Sequence, residues 1–250
     1  MALHPLATRF ASVADTYERG RPDYAPAVVG ALAGELGLAP GARVLDLAAG
    51  TGKLTRALAA AGLEVIAVEP QAELRAVLAD RVPGVEVRDG LAEAIPLEDE
   101  AVAAVTVADA FHWFDKPAAL AEIGRVLHPG AGLAIVTTVP DWGGASWGHE
   151  LGQLLTELRP QHPHFDGPPW REAVADARGW EEPYEVQVTI YPRADPERIV
   201  DHIASISWVA GMPAQEREAT VERVRDLVHS GETPERLALH VVLGLARRSG

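Results

Sequence analysis

Two carboxylates and a run of small residues between them define the first chemistry to look for. Asp46 lies inside a short apolar stretch, residues 43–48, of the kind that forms a strand buried on both faces. The stretch breaks into Ala48-Ala49-Gly50-Thr51-Gly52, and from Lys53 onward the apolar spacing turns helical. A strand feeding a small-residue turn that opens a helix makes a nucleotide-sized site. The glycines let a ligand approach the backbone, and the helix start offers unpaired N–H groups. Glu69 closes the next apolar stretch, residues 64–69. It lies 17 residues beyond Gly52, close to the spacing at which a strand-end carboxylate takes ribose hydroxyls. A pyrophosphate would gain nothing from an acid inside the first strand. Asp46 therefore either organises the loop or draws the cationic end of a ligand.

A second group follows the stretch 102–108. Asp109-Ala110-Phe111-His112-Trp113-Phe114 places three aromatics and an imidazole directly after a central strand. Phe111 and Phe114 are expected to seal the core. His112 and Trp113 are expected at the carboxyl ends of the strands, where a doubly wound sheet binds its ligands. The unperturbed imidazole titrates near neutrality, so His112 could serve as a base or position an acceptor.

The elements around these residues alternate. Helical spacing covers 26–38, 53–61, 71–82 and 116–127, with strands at 43–48, 64–69, 85–88, 102–108 and 132–139. That order predicts a doubly wound, mostly parallel sheet with helices on both faces. Beyond Pro140 the regularity fails. Residues 141–183 hold four tryptophans and read as a helical and looped cap, followed by a strand at 184–191, helices at 196–206 and 214–228, and a last strand at 237–246 paired with 184–191.

Composition narrows the partners. The chain of 250 residues is 48% hydrophobic, enough for one full core, with no apolar run long enough for a membrane span. There are no cysteines, which excludes disulfides and thiolate metal sites. The formal charge is −14 and only Lys53 and Lys116 are lysines, which argues against a nucleic-acid partner. His162 and His164 flank a proline in Gln161-His162-Pro163-His164, where a solvated turn is expected and a metal is not. A cytoplasmic chain, monomeric or homodimeric, is the expectation.

Three ligands compete for the glycine loop. A P-loop requires Ser or Thr after its lysine, and Leu54 stands there. A nicotinamide loop fits Gly50-x-Gly52 but meets Thr55 where a third small residue belongs. The third is S-adenosylmethionine (SAM). Asp46-Leu47-Ala48-Ala49-Gly50-Thr51-Gly52 resembles the D-x-G-x-G-x-G signature of the class I SAM-dependent methyltransferases, with Ala48 in the first glycine's place. Ala108-Asp109-Ala110-Phe111-His112-Trp113-Phe114 resembles a small-molecule branch of that family, as does Tyr17-x-x-x-Arg21-Pro22-x-Tyr24.

The resemblance implies a seven-stranded Rossmann-like sheet with its last strand antiparallel, in one domain. Residues 1–36 would form a lid and first helix, 37–139 the SAM-binding core, and 140–250 the substrate cap and closing strands. It further implies a cofactor set of Tyr17, Arg21, Asp46, Ala48, Gly50, Gly52, Glu69, Pro70, Leu91, Ala92 and Asp109, with Tyr17 and Arg21 beside the methionine carboxylate. Leu91 takes the position that often bonds the adenine amino group. Leucine cannot, so apolar packing and backbone groups, or Asp89, would have to serve. The implied function is methyl transfer to a small molecule, and the branch includes enzymes that esterify small dicarboxylates or tricarboxylates. For such an acid Arg171, Arg178 and Arg193 are candidate anchors. A nicotinamide-dependent oxidoreductase and a SAM-binding protein without catalysis are the rival readings.

Overall fold

The computed structural model describes residues 4–5, 7–159, 162, 164, 167 and 169–249, without the side chains of 10–12. Its centre is a seven-stranded sheet in the order β3-β2-β1-β4-β5-β7-β6. The strands are β1 (Arg43–Leu47), β2 (Glu64–Val68), β3 (Glu86–Arg88), β4 (Val102–Ala108), β5 (Leu127–Pro140), β6 (Tyr184–Ile190) and β7 (Leu239–Arg247). All neighbouring pairs are parallel except the two that β7 makes, with β5 and β6. The chain order turns back between β1 and β4, so the loops after these two strands open a crevice at one end of the sheet.

Alternation along β1 assigns its side chains to two layers. Leu45 and Leu47 join a core with Ile66, Val105, Leu120 and Ile123, and Val44 joins the opposite core with Leu32, Leu54 and Leu58. The first core is closed by α5 (Lys116–Val126), the second by α2 (Pro26–Leu36) and α3 (Lys53–Ala60). Asp46 shares the parity of Val44. It therefore faces α3, an acid among aliphatic neighbours.

Beyond Pro140 a third core forms from α6 (Gly148–Leu158), α8 (Pro196–Ala204), α9 (Ser207–Ala210) and α10 (Ala214–Ser230), through Trp147, Leu151, Ile199, Ile203, Val209 and Val224. The short helix α7 (Trp170–Ala175) lies elsewhere. Trp170 packs on Gly244 of β7, where an added Cβ would stand 2.5 Å from its ring, and with Trp180 it extends the α5 core. The stretch 141–183 thus divides: its first half builds the cap, and its second half covers the sheet. Tryptophan content could not separate the two, because an indole packs equally well on either.

The N-terminal segment runs as a 3-10 helix (Ala7–Val13) into α1 (Ala14–Gly20). Gly20 crosses α8 so closely that a Cβ would stand 2.3 Å from the His202 nitrogen. Arg19 pairs with Asp201 at 2.8 Å, and Arg198 donates to the Arg21 carbonyl at 3.1 Å. The remaining helix is α4 (Ala72–Arg81), between β2 and β3. No helix among the described residues is long and apolar enough to cross a membrane.

Candidate active site

The loop after β1 is held in an uncommon backbone conformation. Ala48, Gly50 and Gly52 take φ of 56°, 58° and 83°. Only glycine adopts that region freely, so Ala48 carries strain of about 1 kcal/mol. The strain is held by bonds on both sides. Ala49 N–H donates to Val68 O at 3.1 Å, and Gly50 N–H donates to Glu69 Oε2 at 3.0 Å. The other oxygen of Glu69 accepts from Gln71 N–H at 2.9 Å. Burial raises the Glu69 carboxyl above its ordinary range, and these two backbone donors oppose that rise.

Asp46 is 1% exposed and ties β1 to α3 and β4. It accepts from Thr55 Oγ1, in the first turns of α3, at 2.6 Å and from Thr106 Oγ1 of β4 at 3.1 Å. Burial still pushes its carboxyl up to about 6. Gly52 faces away from the crevice. A Cβ there would stand 2.8 Å from Leu78 of α4, so its glycine serves a turn and close helix packing.

The crevice divides into three connected spaces. The first is lined by Ala48, Gly50, Glu69, Pro70, Gln71, Leu91, Ala92, Asp109 and Trp113, with Ala7 and Tyr17 across from them. An acid, an apolar wall and an aromatic ring on its lining suit a nucleoside. Leu91 presents an apolar wall, and Asp89 pairs with Arg75 at 3.1 Å and does not line this space. Glu93 lines it while accepting from Asp115 N–H at 2.9 Å.

The second space is lined by Tyr17, Arg21, Asp46, Ala48, Gly50 and Asp109. Arg21 stacks 5.3 Å from the Tyr17 ring centre, and its buried Nε has no hydrogen-bond partner among the described residues. Burial pushes the Tyr17 phenol up to about 12, against the lowering effect of Arg21. The phenol therefore stays protonated at neutral pH and is able to donate.

The third space, about 1140 Å3, lies under the cap between Arg21, Asp109, His112, Trp113, Trp142, Arg159, His162, His164, Ser207 and Trp208. Asp109 lines all three spaces and is itself fixed. At φ 49° its carboxylate accepts from Thr138 N–H at 3.0 Å and Thr138 Oγ1 at 2.7 Å. His112 and Trp113 sit in a 3-10 turn (Phe111–Trp113), their ring centres 4.5 Å apart. Burial, then His164, His162 and Lys116, push His112 down to about 3. Such an imidazole is neutral at physiological pH and a weak proton acceptor, so positioning fits it better than base catalysis.

His162 departs from the solvated turn expected of it. It is 3% exposed, with its ring 4.8 Å from Trp113 and 5.3 Å from Trp208. His164 is exposed, and Gln161 and Pro163 lie outside the described residues. No group of three metal-ligating side chains occurs among the described residues.

A charged network that sequence reasoning does not reveal ties α1 to the loop. Glu18 accepts from Thr51 Oγ1 at 2.9 Å and pairs with Lys53 at 3.5 Å and Arg56 at 3.3 Å, while Asp23 pairs with Lys53 at 3.1 Å and Arg56 at 2.6 Å. Burial would raise Asp23, but the two cations hold it below its ordinary value. The available signal is Lys53 itself, a rare lysine at a buried helix start that needs an acid. Of the three proposed arginine anchors, Arg171 is 52% exposed and 4.0 Å from Glu182, and none of the three lines the third space.

Comparison with known proteins agrees with this geometry. A family model described as "Methyltransferase domain" matches residues 45–135. An uncharacterized methyltransferase of Mycobacterium tuberculosis is 39% identical over 223 residues, 89% of this chain and 86% of the relative. The chain belongs to the class I SAM-dependent methyltransferases. Among solved structures, one from Anaeromyxobacter dehalogenans assigned as a type II methyltransferase is 26% identical, with a TM-score of 0.65 over 92% of this methyltransferase and 97% of that chain. The phosphoethanolamine N-methyltransferase 2 of Haemonchus contortus, solved with phosphomonomethylethanolamine and S-adenosylhomocysteine, shares the fold. Its TM-score is 0.57 at 14% identity, over 98% of this chain and 58% of that one. Membership of this family, shown by the mycobacterial relative, makes S-adenosylmethionine the cofactor.

Proposed function

We propose that this methyltransferase transfers the methyl group of SAM to a small molecule held beneath the cap. The observation that carries the reading is the meeting of the three spaces at Asp109, with Trp113 shared by the first and third and Arg21 by the second and third. A nucleoside end, an amino-acid end and an acceptor would converge there on one point. The residues suit the cofactor: Glu69 keeps free lone pairs for ribose hydroxyls, Leu91 and Ala92 offer an apolar adenine wall, and the unpartnered Nε of Arg21 suits a carboxylate.

SAM supplies an electrophilic methyl on a good thioether leaving group. The protein's work is then to align the acceptor and exclude water. Asp109 is locked by Thr138 and would give the junction a fixed carboxylate edge beside a bound sulfonium. Trp113 walls both sides of the transfer, and His112, kept neutral, positions the acceptor. Among the described residues the third space is lined by aromatic and histidine side chains with only Arg21 and Arg159 as strong cations, which favours a small acceptor over nucleic acid.

Calorimetry with S-adenosylhomocysteine and with NAD tests the cofactor half. Tight binding of the first alone is expected, and a response to NAD alone overturns the reading in favour of an oxidoreductase. Label transfer from radiolabelled SAM to a panel of small acids, phenols and amines tests the acceptor half. Cofactor binding without transfer to any of them would point to a SAM-binding protein without catalysis.

A further inference from the structure

His162 and Ser207 form a buried pair whose hydrogen-bond direction the backbone decides. His162 Nδ1 accepts the backbone N–H of His164 at 3.2 Å. An N–H can only donate, so Nδ1 carries no proton and the ring's single hydrogen is on Nε2. That nitrogen stands 3.0 Å from Ser207 Oγ. Nε2–H therefore donates and the serine oxygen accepts. The serine's own proton is turned away from His162, and no described residue takes it from Oγ. Ser207 is 4% exposed, opens α9, and lines the third space.

The ring that fixes this direction cannot easily turn. Its centre is 4.8 Å from Trp113 and 5.3 Å from Trp208, at 72° to each. Edge-to-face contacts with the two indoles restrict its rotation. A buried hydroxyl on the lining of a space with aromatic walls has a use for its proton, since leaving it unbonded there is unfavourable.

We infer that Ser207, held by His162, is the donor that selects an acceptor carrying a carbonyl-type oxygen on a flat, conjugated body. This deepens the proposed function and rests on its placing the acceptor in the third space. Ser207 touches the acceptor, and His162 is a positioning residue that acts through it. No bond is made or broken at either side chain; they orient the molecule for the transfer.

The test uses the full chain saturated with S-adenosylhomocysteine and two probes of matched shape, acetophenone and ethylbenzene, titrated by ligand-observed NMR. Wild type should prefer acetophenone, and Ser207→Ala should weaken acetophenone by about 3- to 12-fold, one neutral hydrogen bond, while leaving ethylbenzene unchanged. Ser207→Thr should restore the preference because it keeps the hydroxyl. His162→Phe, which keeps a ring between the indoles, should lower the preference less than Ser207→Ala does. Affinity for S-adenosylhomocysteine should stay within about twofold in every variant, well under one hydrogen bond. Equal treatment of the two probes by wild type, no measurable binding of either, or a Ser207→Ala variant that keeps the preference overturns the inference. Loss of S-adenosylhomocysteine binding by wild type itself would instead overturn the functional reading beneath it.

Discussion

On the cofactor side of Asp109 the buried carboxylates are bonded to the sheet, its loops and a helix start; on the cap side His162 and Ser207 are bonded to each other, outside the sheet. Glu69 takes N–H groups from Gly50 and Gln71, and Asp46 takes hydroxyls from Thr55 and Thr106. His162 instead reaches Ser207 on α9, a helix of the cap core, and takes its place from Trp113 and Trp208. The first arrangement is set by strand, turn and helix start, which any acceptor leaves untouched. The second can be rebuilt by changing helices that carry none of the sheet. A fold divided in this way keeps one cofactor while its acceptor changes.

The sharpest way to break this comparison is at Glu69. Its replacement by alanine removes two charge-assisted bonds to the loop and the partner offered to the ribose. At about 1.5–3 kcal/mol for each such bond, affinity for S-adenosylhomocysteine should fall on the order of 100-fold or more. Calorimetry reads this directly. A loss smaller than about fivefold, under 1 kcal/mol, would mean that the crevice is not gripped from β2 at all.

Asp46 gives the next effect, in stability. Its folded carboxyl titrates at about 6 against an ordinary value of 3.8, so between those values the folded state holds a proton that the unfolded chain has lost. Stability from this group is therefore fully present below the lower value and declines as pH rises through the upper one. Asp46→Asn has no such titration. From pH 4 to pH 7 the unfolding free energy of the variant should move in its favour, relative to wild type, on the order of 2–3 kcal/mol. Urea titrations at several pH values measure it. Parallel pH curves for the two proteins would show that the acid is not held in a desolvated site.

Gly52 separates structure from recognition within the same loop. With φ at 83° and Leu78 2.8 Å from where an added methyl would sit, Gly52→Ala should lower stability by about 1–3 kcal/mol. In a chain of this size that is a fall in melting temperature of about 2–12 °C. Cofactor affinity, measured well below the transition, should change little, because Gly52 lines none of the three spaces. A selective loss of affinity with unchanged melting would return Gly52 to the binding set.

What could be read from the sequence follows the same division. Val44 to Leu47 alternate between two cores, Gly50 needs a positive φ, and Glu69 ends its strand at a nucleotide spacing; each depends on a few neighbouring residues. The strand β6 is legible from its alternation. The network of Glu18 and Asp23 with Lys53 and Arg56 is not, because it joins segments some 30 residues apart whose charges look solvated when read singly. His162 escapes for the same reason. A histidine beside a proline has the signature of a turn, and only the approach of Trp113 and Trp208 buries it.

Arg171 tests the cap boundary with the smallest effect expected. Sequence alone makes it a candidate anchor for an acidic acceptor, whereas the structure puts it on α7, against the sheet, outside the space under the cap. It pairs with Glu182 at 4.0 Å on an exposed surface, a contact worth about 0–1 kcal/mol. Arg171→Ala should therefore shift the unfolding free energy by no more than about 0.5 kcal/mol and leave acceptor KM and kcat unchanged. The null result is informative because Arg159, which does line the third space, offers a matched arginine on the other side of the boundary. If Arg159→Ala raises acceptor KM while Arg171→Ala does not, the part that residues 141–183 play in the cap ends with α6. If Arg171→Ala raises KM as well, α7 must reach the acceptor, and the division of residues 141–183 into cap and sheet cover fails.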